Sequence, residues 1–437
     1  MREPTREPND ANIDARDASV RRDASSDGDE SSTPDEDAGE EGATDAEVAR
    51  DARVPDAATP PRDGGTSTVD PSEVDTFVYV GGWGESYPFR AYRLDRSSYA
   101  LTQVGSEVTS FGNNPSFIAP SADGKRLYIA NENWWGPTGV TTAALDATTG
   151  APSKLDQDTV QDGGAFVFTS LSPDGKLLLA ADYNAGRVVV FRLDADGKVV
   201  TPPVDSKSFQ KPSDGSAESA QTHSVRVHPS GKWVYAPNKA RNEIATFALN
   251  ADLGKLTPSE TVALAGGPRH IAFDASGKYA FVITELSNEL VSYGVGSDGK
   301  LTKVDSKSTL PSGFSGQGNT GAHVLVHPSG KYVYASNRGA PGSSADFADS
   351  IAVFALASDG KLSLLQHVES GGAVPRNFDI DSTGTLMVVA NQGSEQTADG
   401  TLVVFAIGSD GKLTPKGSPV TGLKQPNAIG LVTRAKR

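Results

Sequence analysis

Arg269 and Glu285 stand 16 residues apart, on either side of a stretch that reads as one β-hairpin. Residues 270–273 are half apolar, residues 274–278 (Asp-Ala-Ser-Gly-Lys) form a turn, and residues 279–284 are strongly β-prone. A strand of about six residues out and another back returns the chain to its starting edge. The two side chains are therefore expected to meet on one rim of a sheet. There they form either a structural ion pair or an anion clamp beside a general base. The same spacing of 15 or 16 joins Phe117 to Glu132, Phe168 to Tyr183, His223 to Asn238, His323 to Arg338 and Arg376 to Asn391. Arginine, histidine and glutamate converging on one rim suit an anionic substrate, with one imidazole or carboxylate moving a proton.

The elements that position these residues repeat along the chain. Turns close to Pro-Ser-Gly-Lys carry Gly124, Gly175, Gly231, Gly277, Gly330 and Gly384. A second, out-of-phase set carries Gly197, Gly254, Gly299, Gly360 and Gly411, each followed by a lysine and an apolar residue. Two turns per period of about 50 residues, separated by apolar runs of strand length, give four short strands per repeat, the pattern of a β-propeller blade. Residues 77–82 match the second half of a hairpin and residues 425–432 the first half. Six complete hairpins and one assembled from both chain ends predict an all-β, seven-bladed β-propeller closed by N- and C-terminal strands, over residues 76–433. The starts and ends of the hairpins then share one face around the central channel. The Ser-Gly-Lys turns fall on the other face.

Each candidate also has a structural reading. His228 and His327 lie in His-Pro-Ser-Gly turns on the far rim and are expected to be structural. His270 is expected to point away from Arg269 or to pack between blades. Asn131, Asn238, Asn337 and Asn391 end four hairpins at one register, where asparagine can also bond loop backbone. Trp134 and Trp135, in a long insertion after Glu132, are expected to line the mouth.

Residues 1–75 are a different material. They hold 8 Lys or Arg against 22 Asp or Glu, a net of −14 in a chain of −15. Rich in Asp, Ala, Glu, Ser and Pro, this tail is expected to be disordered. The remainder is close to neutral and offers no basic stripe for nucleic acid. No apolar leader precedes the tail and no run of 18 apolar residues occurs, so neither signal peptide nor membrane span is expected. The acidic tether itself resembles the linker of some exported bacterial surface proteins, which leaves export or surface tethering open. With no cysteine there is no disulfide, thiolate ligand or Cys nucleophile. The rim histidines sit in different blades without a neighbouring carboxylate pair, so no metal and no cofactor is expected.

Several motifs in order resemble the seven-bladed β-propeller lactonases, a family that includes propeller-type 6-phosphogluconolactonases and carboxymuconate cyclase. They are Gly267-Pro-Arg-His270 with Phe273, Glu285-Leu286, Tyr334-Ala-Ser-Asn-Arg-Gly339, Pro375-Arg-Asn-Phe378 and Asn391-Gln392. Residues 114–116, 128–132 and 181–186 extend the likeness, which covers about residues 77–432. The resemblance implies a catalytic group of His223, Arg269, Glu285 and Arg338, with Arg376 matching the arginine of the next blade's Pro-Arg motif; Arg376 and the other rim residues Glu132, His323 and Asn391 are expected to bind substrate. It implies a cytoplasmic monomer that hydrolyses a small anionic lactone, typically 6-phosphogluconolactone, with either Glu285 or His223 activating water. Ala322-His323 replaces the family's frequent Ala-Glu, and Val167-Phe168 its Pro-His. These departures keep two other readings open: a ligand- or protein-binding propeller without catalysis, and a cycloisomerase for a muconate-like diacid.

Overall fold

The computed structural model describes residues 70–134, 136–160, 164–209, 220–314, 317–339, 346–394 and 399–436. It contains seven four-stranded antiparallel sheets. Six of them take four consecutive strands of the chain. In the seventh, the C-terminal strand Pro426–Ala435 lies innermost, followed by Val74–Gly82, Arg90–Leu94 and Leu101–Gln103. Nine residue pairs, from Val74 with Ala435 to Gly82 with Pro426, close the ring. This is the seven-bladed propeller that the two sets of turns predict. In six of the seven junctions a blade's first strand packs on the first strand of the next, and in the remaining one Trp233–Asn238 packs on Pro268–Phe273, so the inner strands surround the channel.

The turn chemistry is as the sequence requires. All six Ser-Gly-Lys-type glycines adopt positive φ, between 65° and 72°. The second set, from Gly197 to Gly411, is also positive, between 65° and 84°. An L side chain at these positions would be strained.

Adjacent blades are latched by repeated hydrogen bonds. Tyr79, Tyr128, Tyr235 and Tyr334 donate from their hydroxyls to the carbonyls of Gly150, Gly197, Gly299 and Gly411, each in the following blade. The imidazole Nε2 atoms of His228 and His327 bond the carbonyls of Gly277 and Gly384 in the same way. Those two histidines are structural, as their turn motif suggested.

The expectation of disorder over residues 1–75 falls mostly on residues 1–69, which lie outside the described residues. Pro71–Glu73 form a 3-10 turn, and Val74 and Asp75 already pair in the closing blade. The first strand thus begins two residues before the expected boundary. The last strand runs to Ala435, past the expected end at 433.

Candidate active site

The channel mouth is built by one irregularity used seven times. The pairing of the first two strands shifts by one residue between Pro115 and Phe117, Phe166 and Phe168, Pro268 and His270, Gly321 and Val324, and Pro375 and Asn377. A bulge of this kind leaves a residue out of the ladder and re-aims its side chain. In the closing blade the shift falls beside Asn427. In the fourth blade Thr222 bridges Asn238 while Arg226 pairs with Tyr235, which leaves the same offset around His223. The bulged residues Ser116, Val167, His223, Arg269, Arg376 and Asn427 all line one cavity at the mouth. In four blades the bulge follows a residue of positive φ and a proline: Asn114-Pro115, Gly267-Pro268, Val374-Pro375 and Gln425-Pro426.

Glu285 is the electrostatic centre behind this ring. Its Oε2 accepts from Arg269 Nε at 3.0 Å, its Oε1 accepts from Lys239 Nζ at 3.1 Å, and Arg338 Nη2 lies 3.3 Å from Oε1. All four side chains are buried. Burial alone would raise the Glu285 pKa, but Arg338, Lys239 and Arg269 outweigh it and hold the carboxyl well below its usual range. The expected contact of Arg269 with Glu285 is therefore present, as an ion pair in which both carboxylate oxygens face cations.

Arg269 is held on three sides. Besides Glu285, its Nη1 donates to the Ala322 carbonyl at 2.6 Å and contacts His270 Nε2 at 3.0 Å. Guanidinium only donates, so His270 Nε2 is an acceptor and its proton sits on Nδ1. That proton is donated to His323 Nδ1, 2.7 Å away. Burial, and then the charge of Arg269, keeps His270 well below its ordinary pKa, so the ring is neutral. Nη2 is the arginine nitrogen left for a ligand. The planar fork does not face the cavity as a bidentate clamp.

His223 also lines the cavity. Its Nε2 lies 4.0 Å from Glu285 Oε2, which favours the tautomer with the proton on Nε2. Its Nδ1 has no hydrogen-bond partner among the described residues. Burial, followed by the charge of Arg269, lowers its pKa well below the usual value, so it is neutral at neutral pH. The edge of Tyr183 packs against the ring.

The remaining candidates divide. Arg376 lines the cavity with its guanidinium 4.3 Å from the centre of the Trp83 ring. Glu132 lines it too, but its carboxylate accepts from the indoles of Trp83 at 3.0 Å and Trp134 at 2.9 Å, so it braces the aromatic lip. Trp135 lies outside the described residues. His323 does not reach the mouth. One strand position deeper than the bulge, it bonds His270 and packs edge-on near Phe117 and Phe378. Asn391 likewise turns away, donating to the Ser370 carbonyl and Thr401 Oγ1. Both were expected to bind substrate. Neither lines the cavity: in the sixth of these hairpins Asn391 pairs with Pro375, and the bulge that follows turns Arg376 into the cavity instead.

Three contributors lay outside the sequence reading. Lys239 follows Asn238, one residue beyond the position the spacing rule selected. Asn427 and Trp83 lie in the two halves of the split blade, where no complete hairpin was available to count. The repeated X-Pro-Y motif (Asn114-Pro-Ser116, Gly267-Pro-Arg269, Val374-Pro-Arg376, Gln425-Pro-Asn427) was a signal that could have found Asn427.

The cavity leaves free space of only about 10 Å³, room for roughly one water. A sugar-sized ligand needs the mouth side chains to swing outward. The cations Lys239, Arg269, Arg338 and Arg376 outnumber the carboxylates Glu132 and Glu285, so an anion is favoured. Among the described residues no group of His, Asp and Glu is arranged to hold a metal. The arrangement can bind an anion, present one arginine nitrogen to a developing oxyanion and offer one neutral imidazole as a base.

Residues 77–429 match the profile of the family described as lactonase, 7-bladed beta-propeller. A 6-phosphogluconolactonase of Bacillus subtilis strain 168 is 29% identical over 331 residues, spanning 75% of this chain and 90% of that protein. A Staphylococcus saprophyticus protein of no described function is 29% identical over 326 residues, 72% of this chain and 89% of its own. The solved structure of a Pseudomonas aeruginosa periplasmic gluconolactonase shares the fold, with a TM-score of 0.70 and 24% identity over 82% of this chain and 99% of that one.

Proposed function

Since the chain belongs to the seven-bladed β-propeller lactonase family, we propose that it hydrolyses an anionic sugar lactone, 6-phosphogluconolactone being opened to 6-phosphogluconate. The observation that carries this reading is His223: a buried, neutral imidazole in the wall of a cationic cavity, with Nδ1 unpartnered and Nε2 facing a carboxylate.

In the proposed reaction Arg376, stacked on Trp83, binds the phosphate. The lactone carbonyl faces Arg269 Nη2. His223 Nδ1 takes a proton as the oxygen of a water molecule bonds to the carbonyl carbon. The carbonyl electron pair moves onto oxygen, and Arg269 stabilises that oxyanion. When the pair returns, the ring C–O bond breaks, and the imidazolium gives its proton to the departing hydroxyl. Glu285 stabilises the transient imidazolium and fixes the cations. Both its oxygens are engaged by cations, which disfavours it as the base.

The test is steady-state turnover of 6-phosphogluconolactone, corrected for spontaneous opening, by wild type and His223→Asn. Loss of about 10²–10⁴-fold in kcat with product affinity retained supports the assignment. Wild type that binds 6-phosphogluconate without turnover would instead make the protein a binding propeller. His223→Asn at full rate would remove His223 from the chemistry.

A further inference from the structure

Asn427 is 1% exposed, and neither its Nδ2 nor its Oδ1 has a hydrogen-bond partner among the described residues. It lines the same cavity as His223, Arg269 and Arg376. Its place in the repeat is theirs too: Gln425 (φ 43°), Pro426, Asn427 repeats Gly267 (φ 69°), Pro268, Arg269 and Val374 (φ 60°), Pro375, Arg376. Two independent observations, the unpartnered buried amide and the register of the bulge, thus put the same side chain in the ligand-facing ring. Buried amides are nearly always hydrogen-bonded, because leaving them unpaired is costly. An amide left with both a donor and an acceptor matches a neighbouring pair of hydroxyls, one giving its proton to Oδ1 and the other accepting from Nδ2. The arginines in the ring read charge, and a carboxylate or a phosphate satisfies them equally well. A neutral amide distinguishes a polyol from an unhydroxylated diacid.

We propose that Asn427 is the specificity-determining residue of this site, reading vicinal hydroxyls on the lactone ring and so restricting the enzyme to polyhydroxy lactones. This rests on the lactonase reading and narrows it to a substrate class. A site built to bond a hydroxyl discriminates strongly against the analogue that lacks it, because its own polar atoms are then left unpaired.

The experiment compares wild type, Asn427→Leu and Asn427→Ser on 6-phosphogluconolactone and on its monodeoxy analogues. In wild type, removing at least one ring hydroxyl lowers kcat/KM about 10- to 100-fold. Asn427→Leu loses a similar factor on the parent lactone and no further activity on that analogue. Its melting temperature stays level or rises, since an unpaired buried amide has been replaced by an apolar group of similar size. Asn427→Ser falls between the two on the parent lactone. Equal losses on parent and analogue, a lowered melting temperature in Asn427→Leu, or unchanged kinetics would each overturn the proposal. Should wild type open none of the lactones, the lactonase reading fails, and 6-phosphogluconate binding by calorimetry decides the role of Asn427 separately. Binding by wild type with at least tenfold weakening in Asn427→Leu upholds it. Equal affinity, or no binding to either, rejects it.

Discussion

Replacing Glu285 with glutamine keeps the shape of the side chain and removes the charge that Lys239, Arg269 and Arg338 share. Their nitrogens lie 3.1, 3.0 and 3.3 Å from its oxygens. Side-chain exposure is below a tenth for all four residues, so solvent screens little of the interaction. Glutamine accepts through one oxygen and turns its own N–H groups toward cations. Breaking a buried charge pair by removing one partner costs about 3–5 kcal/mol, because the other charge is left uncompensated. With an unfolding entropy of roughly 2.1 cal/mol/K per residue over about 360 residues, that loss lowers Tm by about 4–7 °C. The assay is calorimetry at pH 7 on wild type, Glu285→Gln, Lys239→Met and the double variant. The double variant should recover part of the loss, since one uncompensated cation has gone with the carboxylate. A Glu285→Gln protein that melts within a degree of wild type while losing its turnover would refute the argument. Glu285 would then be the base, and not the anchor of the cation cluster.

Acid should unfold the protein early. His223, His270 and His323 are each held well below 6.5, burial being the first cause in all three, so the unfolded chain binds more protons than the folded one below that pH. Stability is then complete above pH 6.5 and falls with pH, by at most about 4 kcal/mol per pH unit for three such groups. Asp379, raised to about 6 by burial, opposes one of them between its folded value and its ordinary value of 3.8. Glu285 adds a further loss below 4.5. Urea unfolding at pH 7, 6 and 5 measures the slope, and a flat profile would contradict the neutral, buried state of these rings. Removal of the segment from Gln425 onward should abolish the cooperative melt, because it deletes the inner strand of the closing blade and Asn427 with it. A local loss with the main transition unchanged would show that ring closure does not carry the fold.

Much of this architecture was legible because its determinants are local. A positive-φ glycine in each Ser-Gly-Lys turn, followed by an alternating β-prone run, fixes a hairpin without reference to the rest of the chain. Blade number and closure follow by counting hairpins and matching the chain ends. The approach of Arg269 to Glu285 was legible for the same reason, since both flank one hairpin. Depth along the channel was not. A one-residue bulge is a matter of hydrogen-bond register, and it brings Asn427 to the cavity while His323 lies one layer down and Asn391 bonds the Ser370 carbonyl and Thr401 Oγ1. Lys239 reaches Glu285 from the preceding blade, a contact 46 residues distant that no local pattern encodes. The tautomers of His270 and His323 depend on Arg269 being a pure donor beside them, which only the assembled site reveals.

The closing blade also sets a timetable. The strand Val74–Gly82 is hydrogen-bonded on one side to Pro426–Ala435, which the ribosome makes roughly 350 residues later. At about 5–20 residues per second, the unpaired side of Val74–Gly82 stays open for on the order of 20–70 s during synthesis. That strand is Val-Asp-Thr-Phe-Val-Tyr-Val-Gly-Gly, apolar enough to recruit any other free edge it meets. Six blades can form in sequence while the first waits. The interval before the ring shuts is thus the period in which a nascent chain is most exposed to pairing with its neighbours on the same message.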